Sequence, residues 1–281
     1  MSIKCNLPKT KSLVLLGTLT AAACAVVDSS DTGLPDAAVE LEELSSGEVD
    51  AAPDAEEPGA VASLSQALSD SAAVGVIPSN RGCPPGAPAV RIRFDDEDSG
   101  NANKRGGFIA SVISNDNTDM LFCRVDGSAL YPLGQTFDRI ENHYAVLKLG
   151  SVCPNGSVEF FRYFDNEDDG NRNSIEGSAV SIAPNVVNEN STLRFCLFRG
   201  GDTTMTEFPR QFFGANPFGY SVFAASNFSR ALQTGWFHTD DEDDSNDNSY
   251  STNAAIIGDA QRIISAGQNT DIRIAAVVPI P

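Results

Sequence analysis

Histidine is almost missing from this chain. His143 and His238 are the only two in 281 residues, and neither stands at a metal-ligand spacing, so a His-rich metal centre is excluded. Base is scarce as well: 19 Lys and Arg face 38 Asp and Glu, for a formal charge of −19. Nucleic acid and anionic lipid would both be repelled, and neither is an expected partner. The usual catalytic signatures are also lacking. There is no GxSxG, no HExxH and no phosphate-binding Gly loop. Gly219-Tyr220-Ser221-Val222-Phe223 begins like a nucleophile elbow but has no closing Gly. The carboxylates crowd into common loops, so no pair has the two distinct environments that glycosidic acid–base chemistry needs. The sequence therefore reads as non-enzymatic.

At the N-terminus, Lys4, Lys9 and Lys11 precede an apolar run, Leu13–Leu19, and then Ala21-Ala22-Ala23-Cys24. This is the order of an export leader, and the run is too short for a permanent membrane helix. Small residues before a Cys resemble the lipobox of bacterial lipoproteins. The resemblance implies cleavage before Cys24, lipidation of Cys24 and display at the outer membrane or cell surface, with membrane contact only through that lipid. Each buried acyl CH₂ would add about 0.8 kcal/mol. The alternative is a plain secretory signal, cut after Ala23 or Ala25, and a fully secreted protein. Residues 25–73 then hold twelve acids, no Lys or Arg, no aromatic residue, and prolines at 35, 53 and 58. Such a stretch cannot bury enough apolar surface to offset its ordering entropy, and it is expected to be a disordered, self-repelling tether.

Beyond the tether one acidic segment occurs three times: Phe94–Asn103, Phe164–Asn173 and Thr239–Asn248. All three fit Asp, any residue, Glu, Asp, two of any, Asn, any, Asn. Other features recur at matching offsets. Cys83, Cys153 and Phe228 stand eleven residues before Phe94, Phe164 and Thr239. Asn117, Asn190 and Asn269 stand six residues before Cys123, Cys196 and Ala275. Short β-branched and aromatic runs, bounded by Gly, Asn, Asp and Pro, fill the intervals and read as strands. Arg91-Ile92-Arg93-Phe94 alternates with the period of a half-buried strand. The expected fold is all-β. It has a three-fold internal repeat of about four strands per unit (74–127, 144–200 and 220–279), β-trefoil- or β-prism-like, within a domain spanning 74–281. The connectors carry Tyr131, Phe137, Phe208, Phe212, Phe213 and Phe218, which suggests packed loops.

The cysteines fit this register. The third unit has Phe228 and Ala275 where the other two have cysteines, so both members of a pair are absent together. Bonding within a unit explains that, and predicts Cys83–Cys123 and Cys153–Cys196 out of three connectivities. Disulfides imply an oxidising compartment.

Three or four carboxylates within five residues repel one another unless something neutralises them. Hard cations take such oxygens, and Ca²⁺ takes six to eight. The candidate ligands are Asp95, Glu97, Asp98 and Asn101 in the first loop, Asp165, Glu167, Asp168 and Asn171 in the second, and Asp240, Glu242, Asp243 and Asn246 in the third. The second loop approaches an EF-hand, with Glu176 at the closing position, but Gly106 and Ser251 stand there in the other copies and the flanks read as strand. The plainer alternative is a solvated turn held by Asp and Asn bonding to their own backbone. Local bases could pair with the first two loops: Arg91, Arg93, Lys104, Arg105, Arg162 and Arg172. No Lys or Arg lies between Arg230 and Arg262, around the third. A glycan is the other candidate partner. Trp236, Phe237 and His238 precede the third loop, and Phe160, Phe161, Tyr163 and Phe164 lead into the second. These rings could stack on sugars or simply be strand core. A protein partner, or no ligand at all, is the remaining option.

Overall fold

A computed structural model describes residues 71–80, 82–134, 140–167, 170–178, 185–199, 204–213, 216–241, 246–251 and 253–280. All of them fall within one compact unit, Glu56–Pro281. The leader, Cys24 and all but the last three residues of the expected tether lie outside the described residues.

The strands come in three sets. The first is β1 (Ala73–Pro78), β2 (Ala89–Phe94), β3 (Lys104–Gly107), β4 (Val112–Ser114) and β5 (Thr118–Asp126). The second is β6 (Tyr144–Lys148), β7 (Ser157–Phe164), β8 (Ser174–Gly177), β9 (Val186–Val187) and β10 (Ser191–Phe198). A hairpin, β11 (Gln211–Phe213) and β12 (Asn216–Phe218), precedes the third set. That set is β13 (Tyr220–Ala224), β14 (Gln233–Thr239), β15 (Ser249–Ser251), the short helix α1 (Ile257–Gln261) and β16 (Thr270–Val278).

Every pairing between these strands is antiparallel, in one large curled sheet plus the β11–β12 hairpin. The opening strands β1, β6 and β13 pair with one another, the end of each against the start of the next. Each also pairs with the closing strand of its own set: β1 with β5, β6 with β10, β13 with β16. The closing strands pair in turn with β2, β7 and β14. Those three then receive a short strand from a different set: β8 on β2, β15 on β7, β3 on β14. Each set thus lends one short strand to another, and the exchange runs around all three.

Burial follows from this layout. The opening strands are buried along their whole length, because both of their faces are covered. Ala73 and Ile77 face an inner core with Val90, Ile92, Phe94, Phe160, Phe164 and Phe237. Val74 and Val76 face a second core with Tyr144, Phe198, Phe208, Phe218, Tyr220 and Phe228. Strands such as β2 alternate buried and half-buried residues, as one-sided strands do. Burial of each large apolar side chain contributes about 1.5–3 kcal/mol. The connectors are drawn in as their aromatics suggested. Phe208 and Phe218 are buried, and the Tyr144 and Tyr220 hydroxyls donate to the carbonyls of Tyr131 and Pro209 at 2.8 and 2.7 Å. Phe137 and the side chains of Phe212 and Phe213 lie outside the described residues.

The disulfides are Cys83–Cys123 and Cys153–Cys196, as the paired absence in the third set implied. Both border the second core, where Phe228 and Ala275 are also buried. Apolar packing there replaces the covalent link. Separations of 40 and 43 residues correspond to about 4 kcal/mol each in the chain-entropy account, an upper figure. The double variant Cys153→Ala/Cys196→Ala should lose about 2–4 kcal/mol in urea unfolding, with unchanged far-ultraviolet circular dichroism.

Candidate functional site: the ring of acidic loops

Each acidic loop leaves the inner core at the end of a long strand, β2, β7 or β14. Along these strands Ile92 and Phe94, Arg162 and Phe164, and Phe237 and Thr239 point inward and are buried. Two residues further on, the same parity brings Asp96, Asn166 and Asp241 inward, each 0% exposed. The Phe94 and Phe164 rings meet at 4.6 Å directly beneath this level.

The loops hold one another through a repeating exchange. The backbone N–H of Asp95 donates to Asn173 Oδ1 (2.7 Å), that of Asp165 to Asn248 Oδ1 (2.9 Å) and that of Asp240 to Asn103 Oδ1 (2.6 Å). In return, the N–H of Arg172 donates to Asp95 Oδ2, that of Asp247 to Asp165 Oδ2 and that of Ala102 to Asp240 Oδ2, at 2.6, 2.7 and 2.5 Å. Backbone bonds add to this, from Glu97 N to Asp240 O and from Glu167 N to Asp95 O. Each loop grips one neighbour and is gripped by the other. Bonds to a charged acceptor are worth about 1.5–3 kcal/mol each, which makes the exchange a strong closure.

The remaining side chains brace the ring. Asn101, Asn171 and Asn246 donate to the carbonyls of Asp116, Glu189 and Gln268, at 2.9, 2.8 and 2.9 Å. Their Oδ1 atoms accept from the N–H groups of Asn103, Asn173 and Asn248. Glu97 Oε1 accepts from Ser99 N, and Glu167 Oε2 accepts from Asp98 N. Asp98 is exposed. Of the twelve candidate ligands, Asp168, Glu242 and Asp243 lie outside the described residues. The other nine come together at one end of the domain. All of them except Asp98 accept or donate a hydrogen bond through the side chain. Among the described residues no group of three or more His, Cys, Asp and Glu side chains is arranged to hold a metal ion.

Three features were not singled out from the sequence. The first is Asn103, Asn173 and Asn248, which carry the exchange and whose Nδ2 atoms donate to Asp96 Oδ2, Asn166 Oδ1 and Asp241 Oδ2. The second is Asp96, Asn166 and Asp241, at the motif's variable position, where strand parity continued past Phe94 would have found them. Thr118 and Thr270 hydroxyls also donate to Asp96 and Asp241, at 2.6 and 2.9 Å. Asp96 Oδ1, Asp241 Oδ1 and Asn166 Nδ2 are buried without a hydrogen-bond partner among the described residues. An N–H donor in this cluster opposes a cation at its centre.

The third feature is Arg162. In sequence it lies beside the second loop, yet it serves the third. Its guanidinium is buried and donates to Thr270 Oγ1 (2.9 Å), which donates onward to Asp241. The third loop's lack of nearby base is thereby met from a distant part of the chain. The Asn residues ahead of the closing strands also acquire a role. Asn117 and Asn190 accept from the N–H groups of Asp96 and Asn166, at 3.0 and 2.7 Å, while Asn269 instead donates to Asp240 Oδ1. The two histidines lie apart: His143 is buried near Asp259, and His238 meets Asp271 at 2.8 Å.

A disulfide-braced, all-β domain closed by interlocked polar loops is the class of protein these features define. A family model described as bacterial ApeC matches residues 41–204, and the chain belongs to that family. The matched stretch holds both disulfides and the first two acidic loops. No curated protein and no solved structure matches the chain.

Burial raises the carboxyl of Asp96 well above its ordinary value, and the neighbouring charge of Asp241 adds to that. Burial likewise pushes Asp241 up to about 6, against hydrogen bonds from Thr239, Asn248 and Thr270 and the charge of Arg162. A carboxyl raised on folding makes the folded state bind more protons, so its contribution is greatest below pH 4 and falls as pH rises towards 6. The loss from Asp241 is about 3 kcal/mol at most. Urea unfolding of the wild type should therefore show stability falling between pH 4 and 7, and Asp241→Asn should flatten that slope.

Proposed function

We propose that residues 71–280 form a non-catalytic binding domain of an exported bacterial protein, built from three equivalent β units about one axis in the trefoil- or prism-like manner. The cyclic hydrogen-bond exchange between loops carries this reading. The same backbone and side-chain atoms take part at the same offsets each time, and the carboxylates engaged act as structural acceptors rather than as an acid and a base. Two disulfides favour an oxidising compartment. Export by the N-terminal leader, with Cys24 as the lipid-bearing residue or with plain secretion, completes the picture.

The ring engages the inner carboxylates, so among the described candidate ligands the exposed Asp98 is the one left to take Ca²⁺. At about tenfold excess over Kd, each occupied site would stabilise the fold by about 1.4 kcal/mol. The melting temperature should fall when chelator replaces about 1 mM Ca²⁺, for a Kd of about 0.1 mM, within the range of extracellular modules. An unchanged melt, with no heat on calcium titration, would remove calcium from the reading and leave the ring as a purely structural clasp.

Glycan binding is the second reading, favoured by the setting of Trp236. The other rings ahead of the loops divide by strand parity: Phe160, Phe164 and Phe237 are core, and Phe161 lies under the Arg194 guanidinium. Trp236 is 40% exposed. Its indole lies against Gly106, where a Cβ would sit 2.7 Å from Nε1. One face is thus supported by bare backbone, and an outward face is available to a sugar ring. On a glycan array, Trp236→Ala should lose whatever signal the wild type gives; equal signals would discard this site.

A further inference from the structure

The acidic ring gathers where β16 begins, at Thr270. Val277 and Val278, at the other end of that strand, lie about 25 Å away at 3.3–3.4 Å per residue. There they line a cavity of about 340 Å³ together with Glu207, Phe208, Arg210 and Arg230. The volume is at the low end of the range for small-molecule sites, about 300–1,000 Å³. Phe208 is buried and fixes the connector that forms one wall. The isolated bridge between Leu133 and Met205 ties down the same connector.

Two arginines share this cavity in a chain with a formal charge of −19. Three other arginines meet acids: Arg91 faces Asp119, Arg194 faces Glu159 and Arg199 faces Asp259. Arg210 and Arg230 have no hydrogen-bond or ion-pair partner among the described residues. Both side chains are exposed, so their guanidinium forks are accessible to a planar oxyanion. Phe208, Val277 and Val278 supply an apolar wall beside them.

We propose that this cavity binds a small carboxylate ligand with an apolar body. The carboxylate is held by Arg210 and Arg230, the body packs against Phe208, Val277 and Val278, and Glu207 accepts from a ligand hydroxyl or amine. A singly charged carboxylate suits the site better than a phosphate dianion, because the field of an acidic protein opposes the second charge. The inference rests on the reading of the domain as a binding module and adds a location and a ligand class. It does not involve the loops, so a chelator experiment and a cavity experiment can fail separately.

The test is titration of the full, disulfide-bonded chain with phenylacetate, phenyl phosphate and phenylacetamide, followed by NMR at the arginine Nε–H resonances. Phenylacetate should shift Arg210 and Arg230 along a saturating curve, and phenylacetamide should leave them in place. Arg210→Gln and Arg230→Gln should each weaken phenylacetate binding about tenfold, the effect of about 1.4 kcal/mol, with unchanged melting temperatures. Equal binding by the variants would overturn the location. Tighter binding of phenyl phosphate, equal shifts from the amide, or no saturation would overturn the ligand class.

Discussion

The structure depends on a problem of charge. Asp95, Asp165 and Asp240 stand at one end of the domain among further acids, and their mutual repulsion would open that end. Backbone N–H groups from neighbouring loops answer it, each donating to one of these carboxylates. The returning bonds, from the N–H groups of Asp240, Asp95 and Asp165 to the Oδ1 atoms of Asn103, Asn173 and Asn248, fix where each neighbour sits. A carboxylate that accepts from backbone is stabilised without a counter-ion. This is how an acidic end can close over the Phe94–Phe164 contact without local base at the third loop.

The opening strands pose the complementary problem at the other end. They are apolar on both faces, so each needs two covers. The inner core supplies one, and the connectors with Phe208 and Phe218 supply the other. The disulfides brace this second layer in two sets, and Phe228 and Ala275 fill it in the third. Polar closure at one end and apolar cover at the other hold the same strands from opposite sides.

Much of this was legible in the sequence, for definable reasons. Strand character and parity are local properties, so Arg91-Ile92-Arg93-Phe94 announced its own faces. The cysteine pairing was legible because two positions vanish together in the third set. The exchange between loops was not. A motif shows which atoms can bond, but not that Asn173 reaches Asp95 rather than its own loop; that depends on how the sets are placed around the sheet. Arg162 failed for the same reason. Proximity in sequence assigned it to the second loop, while its inward parity carried it to Thr270 and Asp241. A variable position in a motif looks free, yet strand parity commits Asp96 and Asp241 to burial.

The loop exchange also constrains how the chain reaches its native state. Asp240 must meet Asn103, and Asp165 must meet Asn248, so no loop has both of its neighbours until the last of the three exists. These contacts span 137 and 83 residues, and contacts of such separation form slowly. Asp95 finds its donor as soon as Arg172 of the second loop is in place, whereas the Asp165 carboxylate waits for Asp247, so the ring closes only once nearly the whole chain has been made.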